Sequence, residues 1–309
     1  MKIKQFIYPA FVLMGLTSVA LISSHPLPSQ ESSYKTTSES NLINPLSALV
    51  TTENHEKLNS VGNFQLDEKI KPNNISKAVT KIQLEKKEYF LALASQAEGF
   101  RENIYQDNRG FAIGNGWNLS HQSIQDNQQL ALAVFDNPAS IHLVSHMSVE
   151  SDQVKNKNLS ELNSIKITPQ KSMQITYLLG EKIKNKVVIK GIAQTLEQDR
   201  GLTEKQSEKL ATKIFKNLKK NEQDAIVYHA YKLGKKGFLR YKNMIASLIS
   251  YAEKKGDKQT VISELSYTYK LNGKKIVDNN AQELVSAMFV SPEKFAQSSN
   301  IKMVSYKPK

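Results

Sequence analysis

The stretch that decides the fold of this 309-residue chain runs from residue 98 to residue 116 and reads EGFRENIYQDNRGFAIGNG. Two short segments, residues 104–107 and 111–116, flank Asn108-Arg109-Gly110, which has the composition of a tight turn. This pattern predicts a small β-hairpin. Just before it, Glu98-Gly99 is typical of a helix end, because glycine readily adopts the left-handed conformation that closes a helix. We therefore expect a helix that leads directly into a hairpin.

The same stretch carries two carboxylates, Glu98 and Asp107, with eight residues between them. Hydrolysis of a glycosidic bond uses such a pair: one acid protonates the leaving oxygen, and the other carboxylate activates water or stabilises the developing positive charge. The negative end of a helix and the apolar Phe100 favour a proton on Glu98, which suits the acid role, whereas Asp107 in a polar turn should stay ionised. The spacing alone fits equally a solvated helix end and an Asx-turn aspartate.

Apolar residues at helical spacing lie on both sides of this stretch. On its N-terminal side the spacing predicts an amphipathic helix that ends at Glu98, with apolar positions at Ile75, Val79, Ile82, Tyr89, Leu93 and Ala97. On its C-terminal side the pattern predicts helices over residues 124–135, 169–186, 203–217, 222–233, 241–255 and 281–289. The expected fold class is α+β, mainly α.

These motifs, taken in order, resemble those of the phage-type lysozymes, glycoside hydrolase family 24. The family signature runs Glu-Gly, an Asp with eight residues between it and that Glu, and then Gly-x-x-Thr-Ile-Gly-x-Gly on a small hairpin. A second similarity is the segment QDAIVYHAYKLG at residues 223–234, which is similar to the central-helix pattern of the family. The resemblance covers most of residues 80–290.

The resemblance implies a lysozyme-like fold with a small β-hairpin lobe and a larger helical lobe. It implies a muramidase that hydrolyses the glycan strands of peptidoglycan, with Glu98 as general acid and Asp107 as base or electrostatic partner. Substrate contacts are expected from Tyr105, Asn115 and Trp117. No cofactor and no metal are expected.

The chain also departs from the family pattern. Ala112 stands where the family has a threonine that helps to place the catalytic water, and alanine has no hydroxyl for that task. Trp117 replaces a histidine, Asn279-Asn280 replace a pair of arginines, and an insertion falls within about residues 120–203. These departures favour an alternative function, in which a catalytically weakened lysozyme-like protein binds peptidoglycan or scaffolds an envelope complex.

The N-terminal quarter of the sequence differs in composition from the rest. Residues 1–24 combine a basic start, an apolar stretch and small residues, which predicts a signal peptide or an N-terminal membrane anchor. Residues 25–74 are rich in polar residues and predict a flexible linker. The lysozyme-like domain is expected over residues 75–309, exported to the periplasm or cell envelope, with the N-terminal segment as a possible tether to the inner membrane.

The composition excludes cysteine-based chemistry and indicates the charge of the binding partners. The chain has no cysteine, which excludes disulfides, thiolate metal sites and cysteine nucleophiles, and its net charge of +13 attracts polyanions. His142 and His146 are four residues apart, but the metalloprotease arrangement is missing. The expected partners are peptidoglycan and an envelope protein bound through the insertion. Nucleic acid is not expected, because aromatic residues do not alternate with the lysine runs.

Overall fold

The computed structural model describes residues 52–107, 110–148, 162, 164–271 and 274–301, and has a mainly helical α+β architecture with a small three-stranded antiparallel sheet. The helices are α1 Thr52–Gly62, α2 Ile75–Glu85, α3 Tyr89–Glu98, α4 Ile124–Leu132, α5 Pro138–Ser145, α6 Pro169–Ile183, α7 Lys190–Arg200, α8 Glu204–Asn217, α9 Lys220–Phe238, α10 Lys242–Ala252, α11 Lys258–Glu264, α12 Asn279–Val290 and α13 Pro292–Ser298. The strands are β1 Arg101–Asp107, β2 Gly110–Gly114, β3 Trp117–Asn118, β4 Thr268–Leu271 and β5 Lys274–Val277.

The range 25–74, predicted as a flexible linker, contains a helix in the part that the structure describes. Helix α1 lies in this range and packs against α6. Three apolar side chains of this otherwise polar segment are buried. Val61 and Phe64 pack into the larger hydrophobic core and Leu58 into the smaller one. Residues 1–24, the predicted leader, and residues 25–51 lie outside the described residues. Within the part that is described, no helix has both the length and the apolar character needed to cross a membrane.

The helix predicted to end at Glu98 is two helices, α2 and α3. The apolar spacing continues across residues 86–88, but the helical conformation of the backbone is interrupted there. Lys87 has φ 58° in the left-handed region, and the Glu88 N–H donates to the Gln83 carbonyl at 2.8 Å. This tight turn redirects the chain, so that α3 is a separate ten-residue helix aimed at the sheet.

The predicted hairpin is confirmed as the antiparallel sheet β1-β2-β3. Ala112 pairs with Tyr105 on β1 and with Asn118 on β3. Between Arg101 and Tyr105 the register shifts, and β1 gains two residues over β2. The bulged part of β1 pairs on its other edge with the segment before α6, where the Ile167 N–H donates to the Glu102 carbonyl at 2.9 Å. A bulge of this kind bends the strand.

The protein has two hydrophobic cores, one on each side of the point where α3 meets the sheet. The larger core contains α2, α3 and most of the helices from α7 to α13. The smaller core lies between the sheet and helices α4, α5 and α6, and includes Phe111, Ile113 and Trp117. Helix α6 joins them: Met173 belongs to the larger core and Ile175 to the smaller one.

The helices predicted after the hairpin are confirmed with shifted ends. The range 169–186 is α6 followed by a π-helical segment, Lys184–Ile189, that continues into α7. The range 222–233 extends to Phe238, with a break at Gly234 (φ 67°, ψ 169°). Helices α5, α11 and α13 and the hairpin β4-β5 are additional to the prediction.

Candidate functional site

Helix α3 places Glu98 at the start of the sheet, and both ends of this helix are fixed. At its N-terminus the Phe90 N–H donates to the Asp224 carboxylate of α9 at 3.1 Å, so a side chain from another helix satisfies one of its free amides. At its C-terminus Gly99 has φ 71°, a backbone conformation that favours glycine. Glu98 is the last residue of α3. Its position therefore depends on α9 as well as on α3.

The Glu98 carboxylate contacts two side chains one turn apart on α9. The Tyr228 hydroxyl donates to Oε1 at 2.7 Å, and the Lys232 ammonium lies 3.0 Å from Oε1 and 3.3 Å from Oε2. The side chains of Glu98 and Lys232 retain 18% and 23% of their exposure, so solvent still reaches the pair. The carboxylate is thus held on one side and open on the other, as a group that meets a ligand must be.

A glycine-rich turn after β2 forms the wall beside Glu98. The Asn115 amide donates to the Gly99 carbonyl at 2.7 Å, and the Tyr231 hydroxyl donates to the Gly116 carbonyl at 2.7 Å. Gly116 has φ 82°, and a Cβ placed there would lie 3.2 Å from Cγ of Glu98. The turn can approach Glu98 this closely only because residue 116 has no side chain.

Asn115 and Trp117, both predicted to contact the substrate, are each 2% exposed. Asn115 is a structural residue: its N–H donates to the Ser172 hydroxyl at 2.9 Å, and that hydroxyl donates to Asn115 Oδ1 at 2.8 Å. Trp117 packs in the smaller core. Both residues fix the turn that supports Glu98 and expose almost no surface to solvent. Their contribution to the site is therefore indirect.

Tyr105, the third predicted contact, lies half-buried on β1 with the Arg101 guanidinium 4.3 Å from its ring centroid. Its cross-strand partner is Ala112, and because side chains alternate along a strand, this pair lies on the opposite face from Phe111 and Ile113 of the smaller core. Ala112 is nevertheless 2% exposed. Of the three predicted contacts, Tyr105 is the one with a side chain open to a ligand.

Asp107 is the last residue of β1, and its backbone pairs with Gly110. Its side chain lies outside the described residues, so the structure does not give the distance between the Asp107 and Glu98 carboxylates. A straight seven-residue strand would span about 20 Å. The bulge between Arg101 and Tyr105 bends β1 and shortens that span.

Burial keeps two tyrosines near Glu98, and the histidine behind them, uncharged. The pKa values of Tyr228 and Tyr231 are raised well above 10.0, first by burial and then by the charge of Glu98. Both hydroxyls therefore stay protonated and act as donors. Behind them, burial lowers the pKa of His229 to about 3, and no hydrogen-bond partner reaches either ring nitrogen in the described part of the chain. Since these neighbours are uncharged, the charged group that contacts Glu98 among the described residues is the Lys232 ammonium.

The sequence analysis missed Tyr228, Lys232 and Ser172 as parts of this site. Tyr228 and Lys232 are four residues apart on a helix and so share one face, which is the signal that was available. Their partner Glu98 lies 130 and 134 residues away in the chain. Only the packing of α9 against α3 brings them together.

His142 and His146 contact each other on α5 and at its end. The rings of His142 and His146 stack with centroids 4.2 Å apart, and His146 Nδ1 lies 2.8 Å from the His142 carbonyl. Among the described residues, no three histidine, aspartate or glutamate side chains come close enough together to hold a metal ion.

Comparison with known proteins provides no family assignment. No protein-family model matches the chain, and no curated protein matches its sequence significantly.

Proposed function

We propose that this chain is an exported peptidoglycan glycan-strand hydrolase, a divergent relative of the phage-type lysozymes with a lysozyme-like fold. One observation carries the proposal: the half-buried carboxylate of Glu98 ends a helix at the start of a three-stranded sheet, between a small core and a large one. The same motifs that carry the sequence resemblance converge at this point.

In the proposed reaction, Glu98 protonates the leaving glycosidic oxygen, and Asp107 activates water or stabilises the positive charge on the sugar. Tyr228 positions the Glu98 carboxyl by a 2.7 Å hydrogen bond to Oε1, and Lys232 lies 3.3 Å from Oε2, the oxygen that faces the substrate once this contact weakens. Tyr105, on the open face of the sheet, offers a ring for contact with a sugar. The turn at residues 114–116 supports the carboxylate from behind.

Lys232 has two opposing effects in this scheme. Its ammonium fixes the Glu98 carboxylate, but it also contacts both carboxylate oxygens, which the leaving glycosidic oxygen must reach. A working acid therefore requires that substrate binding weakens the Lys232 contact. The ammonium would then be free to interact with an anionic group of the substrate.

A second candidate function rests on this same contact and on Ala112. If the Lys232 pair persists in the complex, the Glu98 carboxyl is not free to reach the glycosidic oxygen and hydrolysis is slow or absent. Ala112 has no hydroxyl with which to place a water. The protein would then bind peptidoglycan, or scaffold an envelope complex, through an inherited cleft.

The test is incubation of the purified protein with purified peptidoglycan, followed by measurement of soluble glycan fragments. We expect release by the unaltered protein and none by Glu98→Gln. The matched control is Glu102→Gln, which removes a carboxylate that is 54% exposed and pairs with Lys166 at 3.3 Å. It should retain full release. Binding without release by the unaltered protein would favour the second candidate, and equal release by Glu98→Gln would refute the first.

A further inference from the structure

A lysine-lined groove lies between the π-helical segment, α7, α8 and the end of α9. Its volume is about 420 Å³. This lies within the range of roughly 300–1,000 Å³ that small-ligand sites occupy. The lining residues are Asn185, Lys186, Ile189, Lys190, Glu208, Thr212 and Lys235. Glu98 is not among them, so this groove is separate from the proposed catalytic site.

Three ammonium groups share this groove without a matching set of carboxylates. Lys186, Lys190 and Lys235 form no ion pair within 4.0 Å in the part of the chain that is described, and Glu208 is the one acid of the lining. By contrast, Lys182 pairs with Asp126 at 2.8 Å, and Lys184 pairs with Glu181. Unpaired like charges around one concave surface repel one another, and an anion placed between them relieves that repulsion.

The backbone is irregular at or next to two of these three lysines. Lys186 lies in the π-helical segment Lys184–Ile189, and Lys235 follows Gly234, where α9 breaks with φ 67°. A π-helical turn changes the direction of its side chains relative to a regular helix and is often found at functional sites. Two separate irregularities thus bring lysines of different helices to one groove.

We propose that this groove binds a phosphodiester anion of a non-nucleic-acid polymer or of a lipid headgroup. Phosphate oxygens match lysine, which binds phosphate as a point charge. The lining holds no aromatic residue, which argues against nucleic acid, because single strands bind by stacking their bases on aromatic rings. The inference goes beyond the proposed hydrolase activity and does not depend on it.

The test uses a fluorescently labelled poly(glycerol phosphate) oligomer as the probe, with binding measured by fluorescence anisotropy. The groove variant is Lys186→Gln/Lys190→Gln/Lys235→Gln. The matched control is Lys205→Gln/Lys209→Gln/Lys213→Gln, which removes the same charge from exposed positions of α8 outside the groove lining. We expect the groove variant to weaken binding by at least about fivefold and the control by less than about twofold.

A third variant changes the affinity in the opposite direction. Glu208→Gln removes the acid of the lining and should tighten binding by about twofold to fivefold. A parallel measurement compares vesicles of phosphatidylglycerol with vesicles of phosphatidylcholine, and so distinguishes a lipid source of the phosphodiester from a soluble polymer. Equal loss of binding in the groove variant and the control, or no binding to either anionic probe, would overturn the proposal. An unchanged affinity in Glu208→Gln would also contradict it.

Discussion

Replacing His229 by leucine should remove a specific cause of acid sensitivity. His229 lies on α9 and is 0% exposed, and aromatic rings surround it: the centroids of Tyr267, Tyr241 and Phe238 lie 4.6, 5.3 and 6.3 Å away. Neither ring nitrogen has a hydrogen-bond partner in the described part of the chain. Protonation of this ring would place an unpaired charge in an apolar core.

The magnitude follows from the difference between the folded and unfolded pKa values. Burial lowers the pKa of His229 from 6.5 to about 3, so below pH 6.5 the unfolded chain takes up a proton that the folded chain does not. The stability of the fold therefore falls as pH decreases from 6.5 towards 3. At pH 5 the loss from this one residue is about 2 kcal/mol, because each pKa unit corresponds to about 1.4 kcal/mol.

The assay is urea unfolding followed by circular dichroism at pH 7.5 and pH 5 and constant ionic strength. The quantity of interest is the loss of unfolding free energy between the two pH values. We expect this loss to be smaller by about 2 kcal/mol in His229→Leu than in the unaltered protein. The control His121→Gln, at an exposed position, should leave the loss unchanged. A difference below about 0.5 kcal/mol between His229→Leu and the unaltered protein would refute the reasoning.

Three further predictions concern the supports of Glu98. Gly116→Ala should lower the unfolding free energy by about 1–2 kcal/mol because of its positive φ, and by more because the new Cβ contacts Glu98. In urea unfolding it should therefore be less stable than the control Gly201→Ala, where φ is 63° but no atom lies near the new Cβ. Asp224→Ala should lower the unfolding free energy by about 1–2 kcal/mol, and Asp224→Asn by less, because asparagine can still accept the α3 amide. Lys232→Gln should raise the rate of glycan release, because it removes the ammonium that contacts both oxygens of the Glu98 carboxylate, whereas Lys236→Gln at an exposed position should leave the rate unchanged. Equal rates in the two variants would contradict the inhibitory role of the Lys232 contact.

Local chemistry made the hairpin and the end of α3 predictable. Gly99, Gly114 and Gly116 all have positive φ, and the sequence places a glycine at each of these points. Turn residues act through their own backbone preferences, so a single short stretch contains the information. The break between α2 and α3 was not predictable in this way, because apolar spacing continues through Lys87, a residue type that does not itself favour the positive φ of this hydrogen-bonded turn.

Long-range packing determines the features of the structure that the sequence analysis did not predict. The partners of Glu98 lie 130 or more residues away, and no local pattern links them. Asn115 lies in the turn after β2 and Trp117 begins β3; polar and aromatic residues at such positions serve equally as ligand contacts or as supports, and burial favours the supporting role here. Helix α1 was predicted as linker because its composition is polar, although a few apolar side chains suffice to attach it to α6.

The most direct measurement of the central claim identifies the sugar at each new reducing end after peptidoglycan is treated with the protein. The sample is reduced with borohydride, hydrolysed and analysed by mass spectrometry. A muramidase predicts new ends at N-acetylmuramic acid, formed by the unaltered protein and by Glu102→Gln and absent with Glu98→Gln. New ends at N-acetylglucosamine alone, or muramic acid ends formed equally by Glu98→Gln, would contradict the assignment of Glu98 as the acid of a glycan-strand muramidase.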